Sequence, residues 1–245
     1  MKSLIIIPAR YQSSRFEGKP LADLCGKPMI WWTYNQAKKV KGVSDVIVAT
    51  DDSRILEKCH VFNICCEMTS TNHKTSTERA FEIAQRHAAD LYIVVNGDEP
   101  LIDPTTIEKV IPNNIPKGIC VYNLMTKIQD PVQALDPSNI KVVCDSRRNA
   151  LLFTRAMVPY PKSSLNYSFY KHVGVLAYSF EALEFFANCN RGQLESVEDI
   201  NELRFLENGI KIQMVDANCE TLSVDTPKDL EFVKSFIEGK NNGKY

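Results

Sequence analysis

Three cations stand close together early in the chain: Arg10, Arg15 and Lys19 in "PARYQSSRFEGKP", directly after an apolar run, Ile5 to Ile7. With Ser13, Ser14 and Gly18 among them, they suit a loop that grips phosphates through side chains. Neither G-x-x-x-x-G-K-[ST] nor G-x-G-x-x-G is present to do so through backbone amides. Asp98 in "NGDEP" and Asp225 in "SVDTPKDL" are carboxylates of the kind that hold Mg²⁺ on a triphosphate, where one or two acids and phosphate oxygens share the shell. The same residues also fit plainer roles. The loop could be a solvated basic surface, the acids of "NGDEP" a turn and cap before the helix at Asp103-Pro104, and Asp225 an N-cap before Thr226-Pro227.

Chemistry at these positions requires elements that bring them together. Apolar, β-rich runs at Leu4–Ile7, Val46–Ala49, Ile64–Met68, Leu91–Val95, Ile119–Met125, Ile140–Cys144, Val173–Tyr178 and Ile210–Val215 predict strands. Helical periodicity predicts helices at Met29–Val40, Ser53–His60, Ser76–Ala88, Thr105–Ile111, Phe180–Ala187, Val197–Leu206 and Pro227–Ile237, the first of which packs Trp31 and Trp32. Continuous Ile/Val runs alternating with helices imply a mostly parallel sheet covered on both faces, and ligands of such sheets bind beyond the carboxyl ends of the strands. Arg10 and Asp98 each follow a predicted strand directly.

A chain of 245 residues, 44% hydrophobic and 24% charged, is expected to form one α/β domain over residues 1–238, followed by a polar tail at 239–245. A net charge of -1 gives no field for nucleic acid or a membrane surface. No apolar run approaches the about 18 to 20 residues of a membrane span, and the N-terminal apolar patch is too short for a signal peptide, so a cytoplasmic location is expected. Cys25, Cys59, Cys65, Cys66, Cys120, Cys144, Cys189 and Cys219 show no C-x-x-C spacing and are taken as reduced thiols rather than as a disulfide or zinc set.

The segments "PARYQSSRFEGKPL", "SDVIVATDD", "HKTSTERAFE", "VVNGDEPLI", "NIKVV", "YKHVGVLAY", "LESVEDINELR" and "VDTPKDL" occur in the order found in the CMP-Kdo synthetases (3-deoxy-manno-octulosonate cytidylyltransferases). The chain resembles that family from about residue 4 to 235. The resemblance implies a Rossmann-like nucleotidyltransferase (nucleotide-diphospho-sugar transferase) fold, with a mixed, mostly parallel sheet and helices on both faces. It also implies a homodimer that couples CTP to an acidic sugar, Kdo first among them, releasing pyrophosphate and feeding lipopolysaccharide or capsule assembly. By the same resemblance Ala9, Arg10, Arg15, Lys19, Thr75, Ser76, Thr77 and Asp98 surround the nucleotide, with Arg10 and Lys19 on its phosphates. Asp98 and Asp225 hold Mg²⁺, and with Arg10 and Lys19 they form the catalytic set. Arg79, Asn96, His172, Asn201 and Glu202 face the acceptor, Arg79 through the planar fork that suits a carboxylate.

Departures from the family pattern fall mostly on the acceptor side. Asn96 stands where the family has Gln, Ser76 where it has Gly, Leu176 where it has Tyr, and Asn201-Glu202 where it has Glu-Gln. They leave two alternatives beside CMP transfer to Kdo. One is a CTP-dependent enzyme for another acidic acceptor, such as an amino-Kdo, a different ulosonic acid or a phosphonate. The other is a nucleotide-binding paralogue without turnover, against which the retained Arg10, Lys19, Asp98 and Asp225 speak.

Overall fold

The computed structural model describes residues 1–13, 15–164, 166–217 and 222–241, the side chains of Lys240 and Asn241 excepted. Ser14, Cys219 and tail residues 242–245 lie outside the described residues. In chain order the first half runs β1 (Ser3–Ala9), β2 (Asp23–Leu24), β3 (Lys27–Pro28), α1 (Met29–Ala37), β4 (Val43–Thr50), α2 (Ser53–Val61), β5 (Cys66–Met68), α3 (Ser76–Arg86), β6 (Leu91–Val95) and α4 (Pro104–Glu108). The second half runs β7 (Val121–Lys127), α5 (Val132–Leu135), β8 (Lys141–Cys144), β9 (Ala150–Thr154), β10 (Tyr170–Tyr178), α6 (Phe180–Asn188), α7 (Gln193–Glu198), α8 (Glu202–Glu207), β11 (Ile212–Asp216) and α9 (Pro227–Asn241).

The large sheet follows the order β11-β7-β10-β6-β1-β4-β5, with β8 pairing both β10 and β9. β1 is parallel to β4 and β6, β4 to β5, and β7 to β11, whereas β10 runs antiparallel to β6 and β7. This is the mixed, mostly parallel α/β sheet expected. The alternation of strand side chains sorts its two faces. Leu4 and Ile6 pack with Ala80 and Ile83 of α3, Leu183 of α6 and Phe205 of α8. Ile5 and Ile7 face Ile30 and Ala37 of α1, Ile55 of α2 and Ile107 of α4. A third cluster lays Leu230, Val233 and Ile237 of α9 against Leu24 and Met29, and Trp32 fixes α1 to the same hairpin by donating its indole N–H to Leu24 O at 2.8 Å.

Most predicted elements lie within a few residues of those observed. The segment 197–206 is the exception, because it forms two helices where the pattern predicts one. Asp199 takes a left-handed backbone (φ 52°) that ends α7, and α8 restarts at Glu202. The break is held by an ion pair across it. Arg204 Nε and Nη2 each donate to the Glu195 carboxylate at 2.7 Å, with Glu195 fully buried and Arg204 nearly so. Removing Glu195 leaves the nearly buried Arg204 with only the longer pair to Glu78 at 3.6 Å, so Glu195→Ala is expected to lower stability by about 3 kcal/mol, read as a shifted denaturant midpoint with unchanged slope. β10 begins at Tyr170, ahead of the predicted Val173, because its first residues pair with β8 and β7. α9 runs to Asn241, past the expected start of the tail.

Candidate active site

The carboxyl ends of β1 and β6 open into a cavity of about 380 Å³. At the end of β1 the chain turns through a loop that closes on itself. Gly18 N donates to Tyr11 O at 2.8 Å, and Gly18 adopts φ 67°, a conformation in which a Cβ would also press on the Tyr11 ring at 3.2 Å. The 3₁₀ turn Lys19–Leu21, started by Pro20, follows at once and fixes where the Lys19 side chain emerges. Ala9, Arg10, Arg15 and Lys19 all line the cavity, and Arg10 reaches across to donate to Lys74 O at 3.3 Å.

The two acids arrive from opposite ends of the sequence. Val224 N donates to Asp98 O at 2.9 Å, which sets the segment before α9 beside the "NGDEP" turn, and Thr33 of α1 ties that turn from below through Gly97 O at 3.1 Å. Neither acid caps a helix. Asp103 caps α4 by accepting from Thr105 N at 2.7 Å. At α9 the Asp229 carboxylate reaches back to Thr226 N at 2.7 Å and Asp225 N at 3.0 Å, a reciprocal capping arrangement with Thr226. Asp98 and Asp225 therefore keep their carboxylates for the cavity. Lys19 Nζ lies between them, 2.9 Å from Asp98 Oδ2 and 3.3 Å from Asp225 Oδ1, and Arg15 adds a contact to Asp225 at 3.1 Å. Two carboxylates thus face one ammonium, and oxygen donors of this kind are the hard ligands that suit Mg²⁺. Among the described residues no third His, Cys, Asp or Glu joins them as a metal-ligand cluster, which leaves the rest of any shell to phosphate and water.

The opposite end of the cavity is built by α3, β10 and the α7–α8 break. Thr75 lines it but its hydroxyl caps α3, accepting from Glu78 N at 3.1 Å. Ser76 and Asn201, both departures from the family pattern, touch each other: Asn201 Nδ2 donates to Ser76 Oγ at 3.4 Å. Asn96 lies against Gly174, where any Cβ would sit 2.5 Å from its amide nitrogen. Thr77, placed at the nucleotide by resemblance, is not brought to the cavity. It is buried one step further along α3, against Tyr178. Arg79 lines the cavity without any exposed surface, already paired to Asp51 at 2.6 Å.

His172 is oriented by a residue the sequence patterns did not single out. Asn123 is fully buried in the irregular β7–β10 ladder, and its Nδ2 donates to Val173 O and Val175 O at 2.9 Å each. Its Oδ1 is therefore the acceptor for His172 Nδ1–H at 2.8 Å, which leaves Nε2 of the neutral ring with a lone pair. Burial pushes the His172 ring below its ordinary value, against the opposite pull of Glu202 and Asp98. The unfolded chain then binds a proton more readily than the folded one, so this contribution to stability is intact above about pH 6.5 and is lost as pH falls. In thermal melts, the drop in midpoint between pH 7.5 and 5.5 is expected to be smaller for His172→Gln than for wild type. Sequence reasoning also passed over Glu99, whose carboxyl is pushed up to about 8 by burial and then by its neighbour Asp98. Lys74, Arg191 and Asp199, which line the cavity, were likewise not singled out.

Residues 4–212 match the sequence model of a family described as cytidylyltransferase. The chain belongs to that family. It is 42% identical to a 3-deoxy-manno-octulosonate cytidylyltransferase of Geotalea uraniireducens, over 95% of this chain and 98% of the relative. It is 40% identical to an 8-amino-3,8-dideoxy-manno-octulosonate cytidylyltransferase of Shewanella halifaxensis, over 96% and 98%. A solved CMP:2-keto-3-deoxy-manno-octonic acid synthetase complexed with CTP superposes with a TM-score of 0.92 at 37% identity, covering 98% of this chain and all of that one. In this cytidylyltransferase one end of the cavity thus gathers the loop cations and two acids, and the other end gathers the positions that depart from the family pattern.

Proposed function

We propose that this cytidylyltransferase transfers CMP from CTP to the hydroxyl of a 3-deoxy-octulosonate sugar acid, Kdo first among them, with release of pyrophosphate. The observation that carries this reading is Lys19 bridging Asp98 and Asp225 at the carboxyl ends of the strands, with Arg10 and Arg15 on the same wall. In the reaction the acceptor oxygen forms a bond to the α-phosphorus while the bond to the β-phosphate bridging oxygen breaks, so the protein's task is positioning and neutralising charge. Arg10, Arg15 and Lys19 bind the phosphates and hold them in line. Asp98 and Asp225 would hold Mg²⁺, which when bound supplies positive charge to the phosphate oxygens.

One observation favours an acceptor that carries an amino group. Glu202, 7% exposed, lines the acceptor end with no hydrogen bond to its carboxylate among the described residues, and His172 Nε2 is likewise an acceptor. Two acceptors, one of them anionic, match an ammonium better than a second carbonyl or carboxylate. Pyrophosphate release with CTP and Mg²⁺ across Kdo, 8-amino-Kdo, sialic acid and a small phosphonate tests both readings. Release with Kdo supports the first, release confined to the amino sugar supports the second, and silence throughout removes both. A cytoplasmic homodimer serving lipopolysaccharide or capsule assembly fits the same reading. The exposed apolar Leu151 and Tyr160 offer surface for a second copy, and light scattering would measure the dimer's mass.

A further inference from the structure

Among the described residues only Ser3 and Arg79 hold a buried side-chain nitrogen or oxygen with no hydrogen-bond partner, and Arg79 is the one that lines the cavity. Its guanidinium is gripped on two sides where β4 and β5 end. Nη2 donates to Asp51 Oδ2 at 2.6 Å, and Nη1 donates to the Thr69 hydroxyl. Thr69 can only accept there, because its own hydroxyl proton goes to Thr50 O at 3.0 Å, the same carbonyl that its amide bonds at 2.7 Å. Nε is the nitrogen left over. A guanidinium serving only to join α3 to the strands would have all its nitrogens satisfied, since an unpaired buried N–H is costly.

We infer that Asp51 is a positioning residue: with Thr69 it clamps the Arg79 guanidinium so that the free Nε edge meets the acid group of the acceptor sugar. The inference rests on the reading of the acceptor as an acidic sugar. Asp51 does two things in it. Its charge makes a fully buried cation tolerable before any ligand arrives. Its contact also occupies Nη2, so the acceptor's acid docks at the remaining Nε–H and the ion pair persists in the complex. Nothing in the family resemblance gave a role to Asp51, although it lies in the quoted "SDVIVATDD" segment.

The test compares wild type with Asp51→Asn, Asp51→Glu and Thr69→Val, using Kdo as acceptor. It measures the KM of each substrate, the dissociation constant of Kdo by calorimetry with a non-hydrolysable CTP analogue bound, and the thermal midpoint. Asp51→Asn is expected to raise the KM and dissociation constant of Kdo about tenfold or more, with the KM of CTP within about twofold of wild type. Asp51→Glu should recover part of the loss. Thr69→Val, which removes the second clamp without stranding a charge, should shift the same constants by about threefold, so the inference stays testable if Asp51→Asn does not fold. Unchanged Kdo constants in the variants, or equal losses for Kdo and CTP, overturn the role of Asp51 while wild-type turnover still upholds cytidylyl transfer. A wild type that neither binds nor turns over Kdo or 8-amino-Kdo removes the acidic-acceptor reading, and the role of Asp51 goes with it.

Discussion

Asp98→Asn is expected to lower the rate of pyrophosphate release by about 10³-fold or more at saturating CTP, with little change in thermal midpoint. The amide keeps the shape of the side chain and its place in the turn after β6. It removes the negative charge that with Asp225 converges on the position held by Lys19 Nζ. The ion pair lost is part-exposed, 15% and 24% on its two sides, so its contribution to stability is about 1 kcal/mol or less. The catalytic loss is far larger because a divalent cation would keep only one protein carboxylate, and the charge it brings to the phosphates is needed most as pyrophosphate departs. The measurement is the rate against Mg²⁺ concentration. The variant should require more Mg²⁺ and still plateau far below wild type, and a plateau within tenfold of it would remove the metal-holding role of Asp98.

The end of the cavity that gathers the loop cations and the two acids was legible in the sequence because its residues announce themselves locally. Arg10, Arg15 and Lys19 follow one strand within a single loop, and Asp98 follows another, so the rule that ligands sit beyond strand ends is enough to bring them together. Asp225 needed the tertiary structure to separate two roles. Only the Thr226–Asp229 cap shows that its carboxylate is not tied up at the α9 N-terminus. The opposite end was less legible because it is made of contacts between distant segments. Ser76 and Asn201 lie 125 positions apart yet touch, so two substitutions that read as separate departures form one coupled change. The α7–α8 break depends on Asp199 accepting a left-handed backbone and on a buried Glu195–Arg204 pair, and hydrophobic periodicity registers neither. Asn123 and Thr69 are polar residues in or beside strands, where alternation predicts burial but not what the side chain bonds. Thr77 lies off the cavity for a related reason: one helical position, about 100° of rotation, separates a cavity-lining Ser76 from a buried threonine.

Lys19→Ala should damage the use of CTP far more than the use of the sugar: the KM for CTP rises about 10- to 100-fold and turnover falls, while the acceptor KM stays within about twofold. Lys19 is the group through which the opening loop and the two acids meet, and it is mostly buried. With CTP bound, its ammonium would exchange carboxylate partners for phosphate oxygens, so its removal weakens triphosphate binding directly. Without CTP, its removal leaves Asp98 and Asp225 facing each other with Arg15 as the remaining cation near Asp225. That arrangement gives a second readout independent of turnover. Like charges brought together raise the benefit of any cation that enters, so added Mg²⁺ should lift the thermal midpoint of Lys19→Ala more than that of wild type. Asp225→Asn combined with Lys19→Ala should cancel that extra lift, since only one carboxylate then remains. An identical Mg²⁺ response in Lys19→Ala and wild type, with an unchanged CTP KM, would mean that the ammonium merely fills space between two acids that never hold a metal together.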